Sequence, residues 1–367
     1  MLQSWLQPIK SSTLLAIRAS AWHLGSNIEV YEEELPSISK TKIVIIGLEE
    51  DSADVIRKAL YGLSFPFENL KIVDLGNLRN QNKNFITGLL KELIEGGIIP
   101  ILIGKGSQTT TAQFYAHKQA QSSVNMLEVD ERVRYDAFME GINQGPLNEI
   151  FKKKKNALFH YANIGLQGHF VEYPVYKYLQ ERNFDYLRLG AIRHDFKVAE
   201  PLIRDADFMS FNIAALSAVY ATGQDYPTPN GLSSEDACQL CRYAGNSDKL
   251  KSFSIHGFTH QNDIHNQTAQ LIAQMVWYFI DGFYDRKNDF PASKTALTEY
   301  VVAIDDLEYE ISFWKSNRSG RWWIQVPVKT KKKQQRHELI PCTYADYEAA
   351  CMEDLPERLL KAFRRFE

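Results

Sequence analysis

Eight short runs of mainly apolar residues recur along the first two thirds of the chain. They occupy residues 42–48, 71–76, 98–104, 125–130, 157–165, 186–192, 208–213 and 252–258. A strand that helices cover on both faces needs such a nearly continuous apolar stretch, whereas a half-exposed strand alternates apolar and polar residues. The pattern therefore predicts a sheet of about eight strands that is buried on both sides.

The segments between these runs have helical periodicity. Residues 84–97 end on two glycines, which commonly stop a helix. Within residues 266–287, apolar side chains recur three and four positions apart, at Ile272, Met275, Val276, Phe279 and Phe283. Alternating strands and helices predict a doubly wound, mostly parallel α/β sheet, which binds ligands at the carboxyl ends of its strands.

The pattern changes after Ala296, where extended segments and a glycine-containing turn precede a basic run and a last helical segment. We therefore predict an α/β domain over residues 1–296 and an appendage over residues 297–367, built as a β-hairpin plus a helix. Adjacent residues Trp322 and Trp323 must point to opposite faces of a strand. We expect one to be buried and the other exposed, with an interface anchor as the alternative.

The charge balance narrows the classes of partner. A formal net charge of -3 over 367 residues argues against nucleic acid or a membrane as the main partner. The basic runs at residues 152–155 and 329–336 are not interleaved with aromatic residues, so we expect solvated loops there. No run of about 18 apolar residues is present to span a bilayer, and the apolar run at residues 14–17 is too short for a signal peptide.

The cysteines favour a reducing environment. Four of them in a chain of this length do not make a disulfide framework, so we expect a cytoplasmic location. Cys238 and Cys241 have the C-x-x-C spacing of zinc sites, but such a site needs a second pair or histidines at fixed spacing. We predict instead that both lie one turn apart on a helix that begins after Ser233 or Ser234.

Three predicted strand ends carry polar segments that share one resemblance. Residues 104–108 read G-K-G-S-Q, residues 130–134 read D-E-R-V-R, and residues 210–214 read S-F-N-I-A. In this order and spacing they resemble the ureohydrolases (arginases, agmatinases and formimidoylglutamases), most closely the formimidoylglutamase branch. There the segments read G-G-G-H-E, D-A-H-x-D and S-x-D-x-D. The family's later pattern is followed at Gly223, Pro227, Pro229, Gly231 and Leu232. The resemblance covers residues 25–290.

This resemblance implies an arginase-like fold and hydrolysis of a linear amidine. Two divalent cations, commonly manganese, would generate a hydroxide from a bridging water. Of the aspartates and histidines that hold those cations in the family pattern, only Asp130 is kept here. The degenerate metal positions hold Ser107, Arg132, Arg134, Asn212 and Ala214.

The substitutions reverse the charge of the expected metal site. Its formal charge changes from about four negative to about one positive, because arginine stays protonated and cannot become a ligand. Like unit charges about 4 Å apart repel each other by roughly 4 kcal/mol at an intermediate dielectric constant. We therefore predict no metal cofactor, with manganese or zinc as the alternative if the ligands come from elsewhere.

Arg132 and Arg134 have two alternative roles. In the favoured one, they form salt bridges and plug the old cavity, with partners drawn from Glu128, Asp130 and Glu131. In the other, the cavity has become a site for a carboxylate or a phosphate. The members of that anion site would be Lys105, Ser107, Arg132 and Arg134. The free N–H groups of a glycine-rich turn before a helix support this second role.

A new metal site is a further alternative, because four ligand-type side chains fall within ten residues. They are His256, His260, Asp263 and His265. Imidazole and carboxylate suit zinc or manganese. However, Gly257 and Thr259 interrupt any helix that would align these side chains. A polar loop is therefore the favoured interpretation.

Together these observations predict a catalytically inactive binding or scaffold protein. Its partner would be another protein or a small anionic ligand. The alternative is an active hydrolase of formimidoylglutamate or a related amidine, with displaced metal ligands. Members of the family often form homo-oligomers, and the appendage could block or replace those contacts.

Overall fold

The computed structural model describes residues 2–10, 13, 20–106, 108–136, 145–152, 157–290, 294–303, 310–326 and 339–366. The strands are β1 Leu6–Gln7, β2 Glu29–Val30, β3 Ile43–Gly47, β4 Ile72–Leu78, β5 Ile99–Ile103, β6 Val124–Val129, β7 Leu158–Leu166, β8 Asp185–Arg188, β9 Phe208–Asn212, β10 Ser252–His256, β11 Leu297–Ala303, β12 Glu310–Ser316, β13 Trp322–Gln325 and β14 Leu339–Cys342. The α-helices are α1 Leu24–Asn27, α2 Glu50–Leu60, α3 Lys83–Glu95, α4 Thr109–Ala120, α5 Asn148–Phe151, α6 Tyr173–Glu181, α7 Leu189–His194, α8 Ala199–Asp205, α9 Ser234–Asn246, α10 Gln267–Tyr284, α11 Tyr344–Cys351 and α12 Glu357–Phe366.

Ten strands form the central sheet, in the order β1-β4-β3-β5-β10-β9-β6-β7-β8, with β2 paired to β4. Strands β3 to β10 pair in parallel, and only the short edge strand β1 is antiparallel. These eight parallel strands are the eight apolar runs, so the predicted fold class is confirmed. The run at 186–192 is the exception in length, because the chain leaves the sheet after Arg188 and forms α7. There Leu189 and Ile192 are buried at helical spacing.

Helices cover both faces of the sheet, as the apolar strands require. All five residues of β3 are buried, and α10 packs against α2 and α9. The contact between α9 and α10 depends on glycine. A Cβ at Gly245 would lie 2.0 Å from the carbonyl oxygen of Phe279, and one at Gly282 would lie 2.2 Å from that of Arg242. Any side chain at either position would push the two helices apart.

The appendage is larger than the sequence indicated. Strands β11 to β14 form a separate antiparallel sheet, in that order, and α11 and α12 follow. The expected hairpin exists between β12 and β13. The structure adds β14 and a second helix, which the sequence did not predict. A capping box at Thr343 and Asp346 starts α11, and Pro356 directly precedes α12.

Both tryptophans of β13 are buried, so the expectation of one exposed ring was wrong. They do point to opposite faces, but the small sheet is covered on both. Trp322 stacks on Tyr347 of α11, with ring centroids 5.0 Å apart. Trp323 lies under the guanidinium of Arg204 in α8, 4.5 Å from its ring centroid. Arg204 also donates to the carbonyl oxygens of Trp322 and Cys342, which fixes the appendage to the central domain.

The predicted position of Cys238 and Cys241, one turn apart on a helix, is confirmed. Cys238 and Cys241 are free and buried on α9, which begins with a capping box at Ser233. Burial raises the pKa of Cys238 to about 12, so its thiol stays protonated at neutral pH. In the part of the chain that the structure describes, no helix is both long and apolar enough to cross a membrane.

Candidate functional site

The carboxyl ends of four neighbouring strands bring the family's ligand positions to one edge of the sheet. Strands β5, β10, β9 and β6 are adjacent in this order. Lys105, His256, Asn212 and Asp130 lie at or just beyond their ends. Ser107 is outside the described residues. The contact that links two of these strand ends is a hydrogen bond of 2.9 Å from Asn212 Nδ2 to Asp130 Oδ2.

Hydrogen-bond donors occupy both oxygens of Asp130. Arg134 Nε donates to Oδ2 at 2.7 Å, and Arg134 Nη2 donates to Oδ1 at 3.1 Å. Asn212 adds its amide to Oδ2, and the backbone N–H of Arg132 donates to Oδ1 at 3.4 Å. The Asp130 residue is buried. A buried carboxylate with a bidentate arginine is a strong, charge-assisted pair. Its lone pairs already accept hydrogen bonds from groups of the protein.

Arg132 pairs with a different carboxylate from Arg134. Its Nε and Nη2 donate to Glu131 Oε1 at 2.9 and 2.6 Å, and its guanidinium lies 4.6 Å from the ring centroid of Phe170. An extended segment would point the side chains at 130, 132 and 134 to one side, but these three side chains do not converge on one point. Strand β6 ends at Val129 and the chain bends at residues 131 and 132, so the period-two alternation stops there. These are salt bridges of the kind that the plug hypothesis describes.

The anion-site hypothesis has less support in this geometry. Lys105 is exposed, and its Nζ lies 3.7 Å from Asp225 Oδ1. Arg132 and Arg134 each have a carboxylate partner. Lys105, Arg132 and Arg134 therefore all have a counter-ion in the protein. Incoming carboxylate or phosphate would have to displace one of these side chains.

Position 214 offers no ligand at all. The Ala214 side chain is a methyl group, and its backbone N–H donates to Asn212 Oδ1 at 3.1 Å. Asn212 thereby caps the short 3-10 helix Ile213–Ala215 with its carbonyl and holds Asp130 with its amide. An aspartate in its place could not donate to Asp130. The amide at position 212 therefore suits a carboxylate that is paired with an arginine, and not a carboxylate that binds a metal.

The histidine-rich segment does not assemble into a second metal site. Asp263 accepts the backbone N–H groups of Thr268 and Ala269 at 2.8 and 2.9 Å and so caps α10. His260 contacts Ser52, and His265 is exposed with a left-handed backbone (φ 55°). Over the described residues, no three His, Cys, Asp or Glu side chains are placed to hold a metal ion. Of these four residues, His256 is the one whose pKa, lowered mainly by burial, is also affected by the charges of Asp130 and Arg134.

A hydroxyl network behind the site was missed from the sequence. Ser210 Oγ lies 2.7 Å from Thr110 Oγ1 and 3.0 Å from His256 Nε2. Ser254 donates to Ser210 at 3.3 Å. Burial lowers the pKa of His256 to about 4, so the ring is neutral at pH 7. The available signal was the alternation of Ser252, Ser254 and His256 along an otherwise apolar strand.

Glu128 is the second polar residue that the sequence did not single out as a site residue. It lies two residues before Asp130 on β6, on the same face, and accepts a hydrogen bond of 2.8 Å from the hydroxyl of Tyr161. Burial, and then the negative charge of Asp130, raise the pKa of Glu128 to about 8. Its carboxyl group is thus protonated and uncharged at neutral pH.

We expect replacement of Glu128 by glutamine to flatten the pH dependence of stability. The folded protein keeps the Glu128 proton up to about pH 8, whereas an unfolded chain releases it near its ordinary pKa of 4.5. The free energy of unfolding should therefore fall as pH rises from 4.5 to 8, by on the order of 3 kcal/mol from this group. Glutamine still accepts from Tyr161 and does not titrate.

Urea unfolding at pH 5, 6, 7 and 8 measures this dependence. Glu128→Gln should gain stability over the unmodified protein at pH 8 and little at pH 5. The matched control is Glu68→Gln, at an exposed glutamate, which should leave the slope unchanged. Parallel curves for the protein and Glu128→Gln would show that Glu128 is ionised in the folded state.

Comparison with known proteins shows which family and which relatives this chain is similar to. Residues 47–281 match the sequence model of the arginase family. A formimidoylglutamase of Staphylococcus carnosus is 24% identical over 253 residues, which are 64% of this chain and 80% of that protein. One of Staphylococcus aureus (strain MRSA252) is 24% identical over 251 residues, 64% of this chain and 79% of that protein.

Solved structures agree on the fold. A formiminoglutamase of Trypanosoma cruzi determined with Mn2+ superposes with a TM-score of 0.62 at 17% identity, covering 72% of this chain and 99% of that chain. The formimidoylglutamase of Bacillus subtilis gives a TM-score of 0.61 at 14% identity, covering 72% of this chain and 92% of that chain. The family match ends at residue 281, before the appendage begins.

Proposed function

This chain belongs to the arginase family, and we propose that it uses the family's scaffold for binding and not for metal-dependent hydrolysis. One observation carries the proposal. The buried carboxylate of Asp130, the one retained metal position, is held by Arg134 and Asn212. The site thus has the hydrogen bonds of a closed polar plug.

The residues at the family's metal positions do not fit a pair of manganese ions, although the Trypanosoma cruzi relative was solved with Mn2+. Hard divalent cations need carboxylates, with imidazole tolerated. Arg134, Asn212 and Ala214 supply none of these groups, and arginine repels a cation. A cation at Asp130 would also have to break the bidentate pair with Arg134, and so leave a guanidinium without its partner.

An active amidine hydrolase is the second candidate. It is supported by the relatives, since the formimidoylglutamases named above match over about four fifths of their own length. Such an activity would need metal ligands from other positions in the chain. Glu128 and His256 are both affected by the charge of Asp130 and would be candidates, but Glu128 is protonated at neutral pH and His256 is hydrogen-bonded to Ser210.

A turnover assay separates the two candidates. The purified full chain is incubated with N-formimidoyl-L-glutamate, with added Mn2+ or with EDTA, and formamide release is measured. We expect no release above the protein-free background in either condition. A staphylococcal formimidoylglutamase assayed in parallel is the positive control. Formamide release that EDTA abolishes and Mn2+ restores would establish the hydrolase and end the binding proposal.

The partner of the binding protein is a protein or a small anion, and we place it in the cytoplasm. The appendage supports a protein partner, because it adds a four-stranded sheet and two helices outside the family match. Among the described strands, the edge strand β11 pairs only with β12, and Val301 on β11 is exposed. An unpaired edge of this kind can accept a strand from another chain, including a second copy.

A further inference from the structure

A cavity of about 170 Å³ lies where the appendage meets the amino ends of β6, β7 and β9, at the opposite end of the strands from Asp130. The central domain contributes Asn125, Asp205, Asp207 and Lys249 to its wall, and the appendage contributes Arg365 and Phe366. The cavity therefore exists only because the appendage packs on this domain. It is independent of the metal positions and of the proposed function.

One wall of the cavity carries an arginine with an unused donor. Arg365 Nη1 lies 3.3 Å from Asp185 Oδ2 and donates to the carbonyl oxygen of Asn183 at 2.8 Å. Asp185 also pairs with Lys361 at 3.0 Å and contacts His160. Lys361 in turn pairs with Glu357 at 3.0 Å. The Arg365 side chain is only 6% exposed, and its Nε has no hydrogen-bond partner in the described part of the chain. Buried donors are rarely left without an acceptor.

The facing wall carries two carboxylates, Asp205 and Asp207, and one lysine, Lys249. Asp205 is matched by Lys249, whose Nζ lies 3.2 Å from its Oδ1. Asp207 is buried and accepts the backbone N–H of Asn125 at 2.6 Å. It forms no ion pair within 4.0 Å with any described residue. The cavity is thus bounded by a positive group at Arg365 and a negative group at Asp207.

The charges and the volume define the ligand class. A ligand with a carboxylate alone would leave Asp207 without a cation within 4.0 Å, and an amine alone would leave Arg365 Nε without an acceptor. A cavity of similar volume, about 150 Å³, holds a molecule of six to eight non-hydrogen atoms such as benzene or a slightly larger one. We infer that this cavity binds a small zwitterionic amino acid, with its carboxylate at Arg365 and its ammonium group at Asp207.

Thermal unfolding of the full chain tests the inference with glycine, L-alanine and β-alanine as probes, each at up to 10 mM. We expect at least one of them to raise Tm saturably, by about 3 °C. Sodium acetate and methylammonium chloride, alone and together, supply the same charges without the link between them and should raise Tm by less than a third as much. Equal shifts from the unlinked ions would overturn the inference, as would no saturable shift from any probe.

Two variants locate the ligand. Ser123 lines the cavity but forms none of its ion pairs, so Ser123→Phe fills the space without breaking a charge pair. Asp207→Asn removes the negative charge and keeps an acceptor for the Asn125 backbone N–H. By isothermal titration, both should bind the amino acid at least tenfold more weakly, with the ligand-free Tm of Ser123→Phe within 2 °C of the parent. Undiminished binding by Ser123→Phe would place the ligand elsewhere and contradict the inference.

The control variant is Glu68→Gln, at an exposed glutamate that does not line the cavity, which should bind the amino acid with unchanged affinity. Neither cavity variant touches Asp130. A manganese-dependent turnover would therefore defeat the proposed function and leave the amino-acid site standing. Conversely, a chain that shows no turnover and binds no amino acid would defeat the amino-acid site and leave the proposed function standing.

Discussion

Replacement of Arg57 by methionine should lower the free energy of unfolding by about 3–5 kcal/mol, because it leaves a buried carboxylate without its cation. The Arg57 guanidinium is fully buried and forms a bidentate pair with Asp74, at 2.9 and 3.0 Å. It also donates to Asp54, Asn77 and the carbonyl oxygen of Gly76. Burial alone would lower the pKa of Arg57, but the charges of Asp74, Tyr61 and Asp54 and the hydrogen bond to Asp74 together outweigh it, and the pKa is raised.

Chemical denaturation at pH 7 measures this loss, provided that the slope of the transition is unchanged. Lys91→Met is the matched control, because Lys91 forms only an exposed pair with Glu95 at 3.5 Å. Such a surface pair is worth under about 0.5 kcal/mol. The double variant Arg57→Met with Asp74→Leu should recover part of the loss, since no charge is then left buried. A loss below 1 kcal/mol for Arg57→Met would mean that Asp74 is solvated or neutral in the folded chain.

Restoring the family's ligands should create a manganese site where the present chain has a plug. The restored variant carries five substitutions: Ser107→His, Arg132→His, Arg134→Asp, Asn212→Asp and Ala214→Asp. Without metal it should be less stable than the parent, because several carboxylates then face one another around Asp130. With Mn2+ at a hundredfold excess over its Kd, binding should stabilise it by about 3 kcal/mol.

The matched control for this experiment keeps Arg134 and carries the other four substitutions. It should gain no stability from Mn2+, because the guanidinium continues to occupy Asp130. Thermal unfolding with and without Mn2+ gives both results in one assay. If the four-substitution variant responded to Mn2+ as strongly as the five-substitution variant, Arg134 would not be the group that excludes the metal.

The sequence was sufficient to predict the central sheet, because the strands of that sheet are apolar throughout. Each run from residue 42 to residue 258 became a parallel strand, and the pattern could not be confused with surface-exposed strands. The run at 186–192 shows the limit of this reasoning. Leu189 and Ile192 suit a strand or a helix equally well, and the tertiary packing decides between them. The appendage was underestimated since β14 is only four residues long.

The sequence indicated which residues come together in the candidate site, but not which of them pair with each other. The strand ends identified Asp130, Arg132, Arg134 and Asn212 as residues of the expected site. Which carboxylate each arginine would take depended on the bend after Val129, and a residue-spacing argument has no information about that bend. The pairing of Asp130 with Arg134 rather than Arg132 follows from it.

Buried polar groups were the other feature that sequence reasoning passed over. Arg57 lies in a helical segment and Glu128 in an apolar strand, and neither local pattern identifies the partner of the buried group. Their partners come from distant parts of the chain: Asp74 lies on β4 and Tyr161 on β7. Only the folded structure shows that Arg57 forms an ion pair and that Glu128 is a protonated acid.

The manganese content of the unmodified protein tests the central claim most directly. The full chain is stripped with a chelator, incubated with excess Mn2+, desalted and analysed by inductively coupled plasma mass spectrometry. With Asp130 held by Arg134 and Asn212, we expect far less than one manganese ion per chain. A stoichiometric manganese content, lost when Asp130 is replaced by alanine, would contradict the account.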